Sequence, residues 1–108
     1  MIRKRDWSTT PRRALTPTEI VSGLAKLEGW TLRGEGPTLA IEKTYRFANY
    51  YETIAFVNAL AFVSHVSDHH AELVVHYNHC VVRFNTHDVG GISVTDFESA
   101  SAADALMQ

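Results

Sequence analysis

This chain has a single cysteine, no apolar run of bilayer length, no internal repeat and no low-complexity tract. Each shortage closes off a class of protein. Cys80 alone cannot form an internal disulfide, so a disulfide scaffold is excluded and a reducing compartment fits. The most apolar segment, residues 54–63, is too short to span a bilayer and contains Asn58. The start of the chain is basic but lacks the apolar stretch of a secretory signal, and a cytoplasmic protein is expected. No HExxH pair, CxxC pair, Gly-rich phosphate loop or nucleophile elbow is present.

Positive charge is scarce beyond the first residues. Net charge is −2, and Arg3, Lys4, Arg5, Arg12 and Arg13 make up half of the 10 Lys and Arg. The rest of the chain has five basic side chains against eleven carboxylates. No basic stripe remains for a nucleic-acid reader, and neither nucleic acid nor membrane is expected as a partner. Residues 1–15 read as a basic flexible tail, and residues 16–108 as one domain.

What is present is well patterned. Thr16-Pro17-Thr18-Glu19 carries a cap, a proline at the first helical position and an acid in the first turn, which starts a helix through Leu27 to Gly29. A short strand follows at residues 30–33. Residues 39–47 alternate with period two, as a strand with one apolar face does. Asn49 caps a helix running to about residue 66, whose apolar arc is wider than one sheet would cover. Residues 72–77 and 79–86 form a hairpin through Asn78. Ser93, three residues before Asp96, opens a final alanine-rich helix as a capping box does. The order α-β-β-α-β-β-α predicts an α+β fold, a four-stranded antiparallel sheet with helices on one face.

All six histidines fall between positions 65 and 87. Surface histidines with no shared role explain any one of them, but not a cluster at two places that meet at one rim of the sheet. Those places are Asp68-His69-His70, after the central helix, and Thr86-His87-Asp88, after the fourth strand. Metal ligation would use His65 and His69, four apart on a helix, with Asp68 and Asp88, yet no distinctive ligand spacing supports it. General acid–base chemistry suits the cluster better, with imidazoles exchanging protons and carboxylates fixing their tautomers. Cys80 reads as a small core residue.

The same residues resemble the pterin-4a-carbinolamine dehydratases (4a-hydroxytetrahydrobiopterin dehydratases) over about residues 16–106. The resemblance rests on Gly29-Trp30, the run from Glu42 to Phe47, Asp68-His69-His70, Tyr77-Asn78, Thr86-His87-Asp88, Gly90-Gly91-Ile92 and Asp96. It implies elimination of water from a 4a-hydroxytetrahydropterin to give the quinonoid dihydropterin, recycling the pterin of an aromatic amino acid hydroxylase. The pterin is then the substrate, and no cofactor or metal is implied. His69, His70 and His87 would be catalytic, and Asp68, Asn85, Thr86 and Asp88 would bind substrate. Asp96 would support the site. A homodimer or homotetramer is also implied. The family pattern departs at Ala71, where proline is usual, at Leu73, where an aromatic is common, and at His65, where glutamate is usual; these departures imply lower activity. Relatives that act as dimerisation partners or in carboxysome assembly imply the alternative, a non-catalytic pterin-binding or protein-assembly module.

Overall fold

A computed structural model describes residues 5–6 and 12–108. Helix α1 (Pro17–Leu24) is followed by strand β1 (Thr31–Arg33), strand β2 (Ala40–Arg46) and helix α2 (Tyr50–Ser67). Strands β3 (Glu72–Val75) and β4 (His79–Phe84) then lead to helix α3 (Val94–Ala105). All strand pairs are antiparallel, in the order β1-β2-β4-β3, and the fold class is α+β as the pattern predicts.

The caps lie where the sequence puts them. The Thr16 hydroxyl accepts from the Glu19 amide, and the Glu19 carboxylate accepts from Thr16 N–H at 2.9 Å. Asn49 Oδ1 accepts from the Glu52 amide at 3.0 Å. The first helix is shorter than its apolar spacing predicts: it ends at Leu24, Ala25 caps it with its N–H still on the Val21 carbonyl, and the chain reaches Gly29 through turns. A Cβ on Gly23 would sit 2.6 Å from the Phe97 ring, so glycine there permits α1 to rest directly on α3.

One sheet face is covered. Ile41 and Tyr45 of β2 and Cys80, Val82 and Phe84 of β4 point toward the helices and are buried. Helix α2 meets them with Thr53, Phe56 and Leu60, and α3 with Ala100 and Ala103, whose small side chains allow close approach. The helical spacing of Tyr50, Ile54, Val57 and Ala61 predicts one apolar stripe of α2, with Phe56, Leu60 and Val63 beside it. In the structure the buried face is rotated toward Thr53, and Tyr50 and Phe62 are exposed. Thr53 is tolerated there because its hydroxyl lies 2.9 Å from the Asn49 carbonyl and 3.1 Å from that of Tyr77. Burial pushes the Cys80 thiol pKa up, as for an inert core residue.

A polar lock joins β2 to α3. Asp104 accepts from Trp30 Nε1 at 3.1 Å, from Lys43 Nζ at 2.9 Å and from the Tyr45 hydroxyl. Burial works to raise the Asp104 pKa, but the hydrogen bonds from Tyr45, Lys43 and Trp30 outweigh it and hold the carboxyl below its usual value. A lowered folded pKa means stability that is complete above the ordinary carboxylate range and is lost as pH falls through the folded value. Asp104→Ala is expected to cost about 2–3 kcal/mol at pH 7, less than a fully buried pair would because the lock is partly exposed. Urea unfolding of both proteins at pH 7 and pH 3 checks this, and the gap should narrow in acid.

Candidate active site

The site is built where α2 ends. Asp68 takes φ 52° and ψ 44°, the only non-glycine residue with positive φ among the described residues. Aspartate tolerates the left-handed region better than most side chains, and such a residue turns the chain sharply off a helix end. The His69 amide closes the turn on the Ser64 carbonyl at 3.1 Å. The reversal sends His69 inward, 8% exposed, and leaves His70 exposed at the rim.

His69 meets Asp96 at the start of α3. Its Nε2 lies 2.6 Å from Asp96 Oδ1, and its ring stacks over Phe84 with 17° between planes. The other Asp96 oxygen accepts from the Ser93 amide at 2.9 Å and the Thr86 hydroxyl at 2.7 Å. The Ser93 hydroxyl then donates to Thr86 Oγ1, 2.7 Å away. Asp96 is fully buried, and each of its oxygens has a donor. As a carboxylate it requires the hydrogen on Nε2, which leaves Nδ1 as the His69 nitrogen able to exchange a proton. Asp96 thus sits beneath the histidine as a support.

An open cleft of about 780 Å³ lies over this pair, within the range of small-molecule pockets. His69, His70, His87, Asp68, Asn85 and Asp88 all line it. His87 and Asp88 stand on a one-turn 3₁₀ helix (His87–Val89) that ends at Gly90, φ 65°. Asn85 donates both amide hydrogens inward, to the carbonyls of Pro37 and Leu39 at 3.2 and 3.1 Å, and offers the cleft its amide oxygen. A second groove, of about 340 Å³ between α2 and β3, shares Asp68, His69 and His70 with the cleft and adds His65, Ala71 and Leu73.

Thr86 requires a correction. Expected to bind substrate, it is 1% exposed and its hydroxyl is committed to Asp96 and Ser93. The alternation of β4 continues past Phe84, so Asn85 faces the cleft and Thr86 faces inward. His76 and His79 lie apart in the hairpin, ring on ring at 4.1 Å. Among the described residues no group of three or more His, Cys, Asp or Glu is arranged to hold a metal ion.

Two basic cleft residues escaped the sequence reading. Arg83 presents no motif, but it pairs across β4 with Glu42 and Glu72, and strand alternation alone places it beside Asn85 on the sheet face away from the helices. Arg12 was counted with the tail; its guanidinium reaches Asp88 Oδ2 at 2.6 Å. Nothing in the spacing of two residues 76 apart signals that contact.

Fold and site define a small α+β domain with a histidine-lined cleft at one rim of its sheet. The chain belongs to the pterin 4 alpha carbinolamine dehydratase family, whose model matches residues 13–106. A relative from Paracidovorax citrulli, provisionally named a pterin-4-alpha-carbinolamine dehydratase, is 64% identical over 99% of this chain and 92% of its own length. A solved structure described as a transcriptional coactivator/pterin dehydratase from Brucella melitensis superposes with TM-score 0.81 at 26% identity, covering 87% of this chain and 98% of that one. A pterin dehydratase-like protein identified as a RuBisCO assembly factor in the α-carboxysome shares the fold, with TM-score 0.62 at 22% identity over 73% of this chain and 89% of that one. No helix among the described residues is long and apolar enough to cross a membrane.

Proposed function

We propose that the protein is a hydro-lyase that converts a 4a-hydroxytetrahydropterin to the quinonoid dihydropterin and water, returning the pterin to an aromatic amino acid hydroxylase. One observation carries this reading: a histidine held by a buried carboxylate opens into the same cleft as His70 and His87. The 4a-hydroxyl leaves only when protonated, and the ring N5–H must be lost for the C4a–N5 double bond to form. One imidazole gives a proton to the departing oxygen and another accepts the N5 proton, so the protons balance. His69, through Nδ1, and His87 take these two roles, and His70 polarises the ring. Asp68, Asn85 and the Asp88 side of the cleft bind its polar edge. The elimination is redox-neutral and calls for no further cofactor.

The experiment generates the 4a-hydroxytetrahydropterin with a hydroxylase and follows its dehydration optically. The protein should accelerate it; a rate unchanged by added protein would overturn the reading in favour of a non-catalytic pterin-binding or assembly module. Ala71, Leu73 and His65, the three departures from the family pattern, line the groove beside His70; without proline at position 71 the turn that positions His70 is less constrained, which lowers activity at most and does not abolish it. The exposed outer face of α2, with Tyr50, Phe62 and Val66, supports self-association as a homodimer or homotetramer. Sedimentation at micromolar concentration tests this, and a monomer would count against it.

A further inference from the structure

We propose that Arg12 is a positioning residue of the cleft, acting through Asp88 to hold the turn that carries His87; this rests on the dehydratase reading. The segment preceding α1 lies against the loop after β4, where the Leu15 amide donates to the Ile92 carbonyl at 2.7 Å and the Leu15 side chain packs on the core. That anchorage carries Arg12 to the cleft wall, with its side chain 17% exposed, while the Asp88 side chain it grips is 70% exposed. The neighbouring Arg13 faces the other way, both guanidinium nitrogens on Glu19 at 2.6 and 2.8 Å.

The His87 turn needs an outer tie. Within the backbone it is closed by Val89 N–H on the Thr86 carbonyl at 3.1 Å and Gly90 N–H on that of His87 at 3.0 Å. Its base is held on both sides, Thr86 by Asp96 and Ser93 and Gly91 by its bridge to Thr86, whose N–H donates to the Gly91 carbonyl at 2.8 Å; between them Gly90 sits in a backbone region open to glycine. With only its base held, the exposed turn above it can tilt about Gly90, and tilting moves His87 relative to His69. The charge-assisted bond from Arg12 to Asp88 opposes that motion at the middle of the turn. A reacting group displaced by about 1 Å can lose on the order of 10²-fold in rate, so the tie acts on turnover.

The test compares Arg12→Ala, Arg12→Lys, Asp88→Asn, the Arg12→Ala/Asp88→Asn double variant and Arg13→Ala. Turnover is read by the dehydration assay, and binding by fluorescence titration with a 7,8-dihydropterin, which lacks the 4a-hydroxyl. Arg12→Ala should lower kcat about tenfold or more, with KM and dihydropterin affinity changed less than about threefold; Asp88→Asn should lower kcat by as much and weaken dihydropterin binding besides, because Asp88 also faces the pterin. The double variant should be no worse than either single one. Arg12→Lys should recover part of the loss, since it keeps the charge without the planar fork. Arg13→Ala should turn over like the wild type. Wild-type kcat in Arg12→Ala would overturn the proposal and leave the dehydratase reading standing. Equal losses in the Arg12 and Arg13 variants would also overturn it, because the segment would then be acting as a whole. A wild-type protein that binds the dihydropterin but leaves dehydration unaccelerated would remove the dehydratase reading, and the positioning role with it.

Discussion

Asp96→Asn is expected to give a folded protein that turns over about 10²–10⁴-fold more slowly. The carboxylate accepts on both oxygens, from His69 Nε2 on one side and from Ser93 N–H and the Thr86 hydroxyl on the other. Asparagine has one acceptor and one donor end, and neither orientation serves. With its oxygen toward His69, the amide nitrogen meets the Ser93 N–H, donor against donor. With its oxygen toward Ser93, the amide hydrogens face His69 Nε2, which must become an acceptor. The ring hydrogen then moves to Nδ1, the nitrogen needed for proton exchange. Losing the right tautomer behind a catalytic histidine costs on the order of 10⁴ in kcat in serine proteases. Nitrogen-15 NMR of the His69 ring reports the tautomer directly, and the rate loss should accompany the switch. A wild-type tautomer with a wild-type rate would show that Asp96 serves the fold alone. Asp96→Ala goes further. It strands the buried His69 ring, the Thr86 hydroxyl and the Ser93 amide, and should cost about 3–5 kcal/mol as well, read as a drop in the urea midpoint.

The legible parts of this fold are those encoded by nearest neighbours. Thr16, Asn49 and Ser93 announce helix starts because a cap uses residues two or three apart. The alternation of residues 39–47 marks β2 because one of its faces is buried. The histidine rim is legible because elements packed on one sheet face bring the end of α2 and the end of β4 together. What is hidden depends on contacts far apart in sequence. Thr53 lies on the buried face of α2, against its polarity, because the Tyr77 carbonyl arrives from the hairpin. Thr86 points inward by continuing the alternation of β4, but that its hydroxyl is committed to Asp96, ten residues on, is not written in that alternation. Trp30, Lys43 and Tyr45 converge on Asp104 from elements that no local pattern links. Asp68 is a separate case: its left-handed conformation is a helix end usually given to glycine, so the sequence carries no local mark of it.

His87→Ala should separate chemistry from stability. His87 is exposed on its turn, so its removal leaves no buried group without a partner, and stability should change by no more than about 0.5 kcal/mol. The loss of one proton-transfer group should lower kcat by about 10²–10⁴-fold. His69→Ala makes the contrast. It empties a nearly buried site and leaves the Asp96 carboxylate facing a cavity, so rate and stability should fall together. Added imidazole sharpens the comparison. The cleft is open at His87, and free imidazole can diffuse to that place and carry the proton, so part of the His87→Ala rate should return with imidazole concentration. The His69 position is covered by Phe84 and Asp96, and an imidazole there must also find the orientation that the carboxylate imposes, so rescue of His69→Ala should be far weaker. Unchanged turnover in His87→Ala would move the second proton-transfer role to His70, the remaining histidine on the cleft. Turnover that survives loss of both His69 and His87 would remove acid–base elimination from these residues altogether.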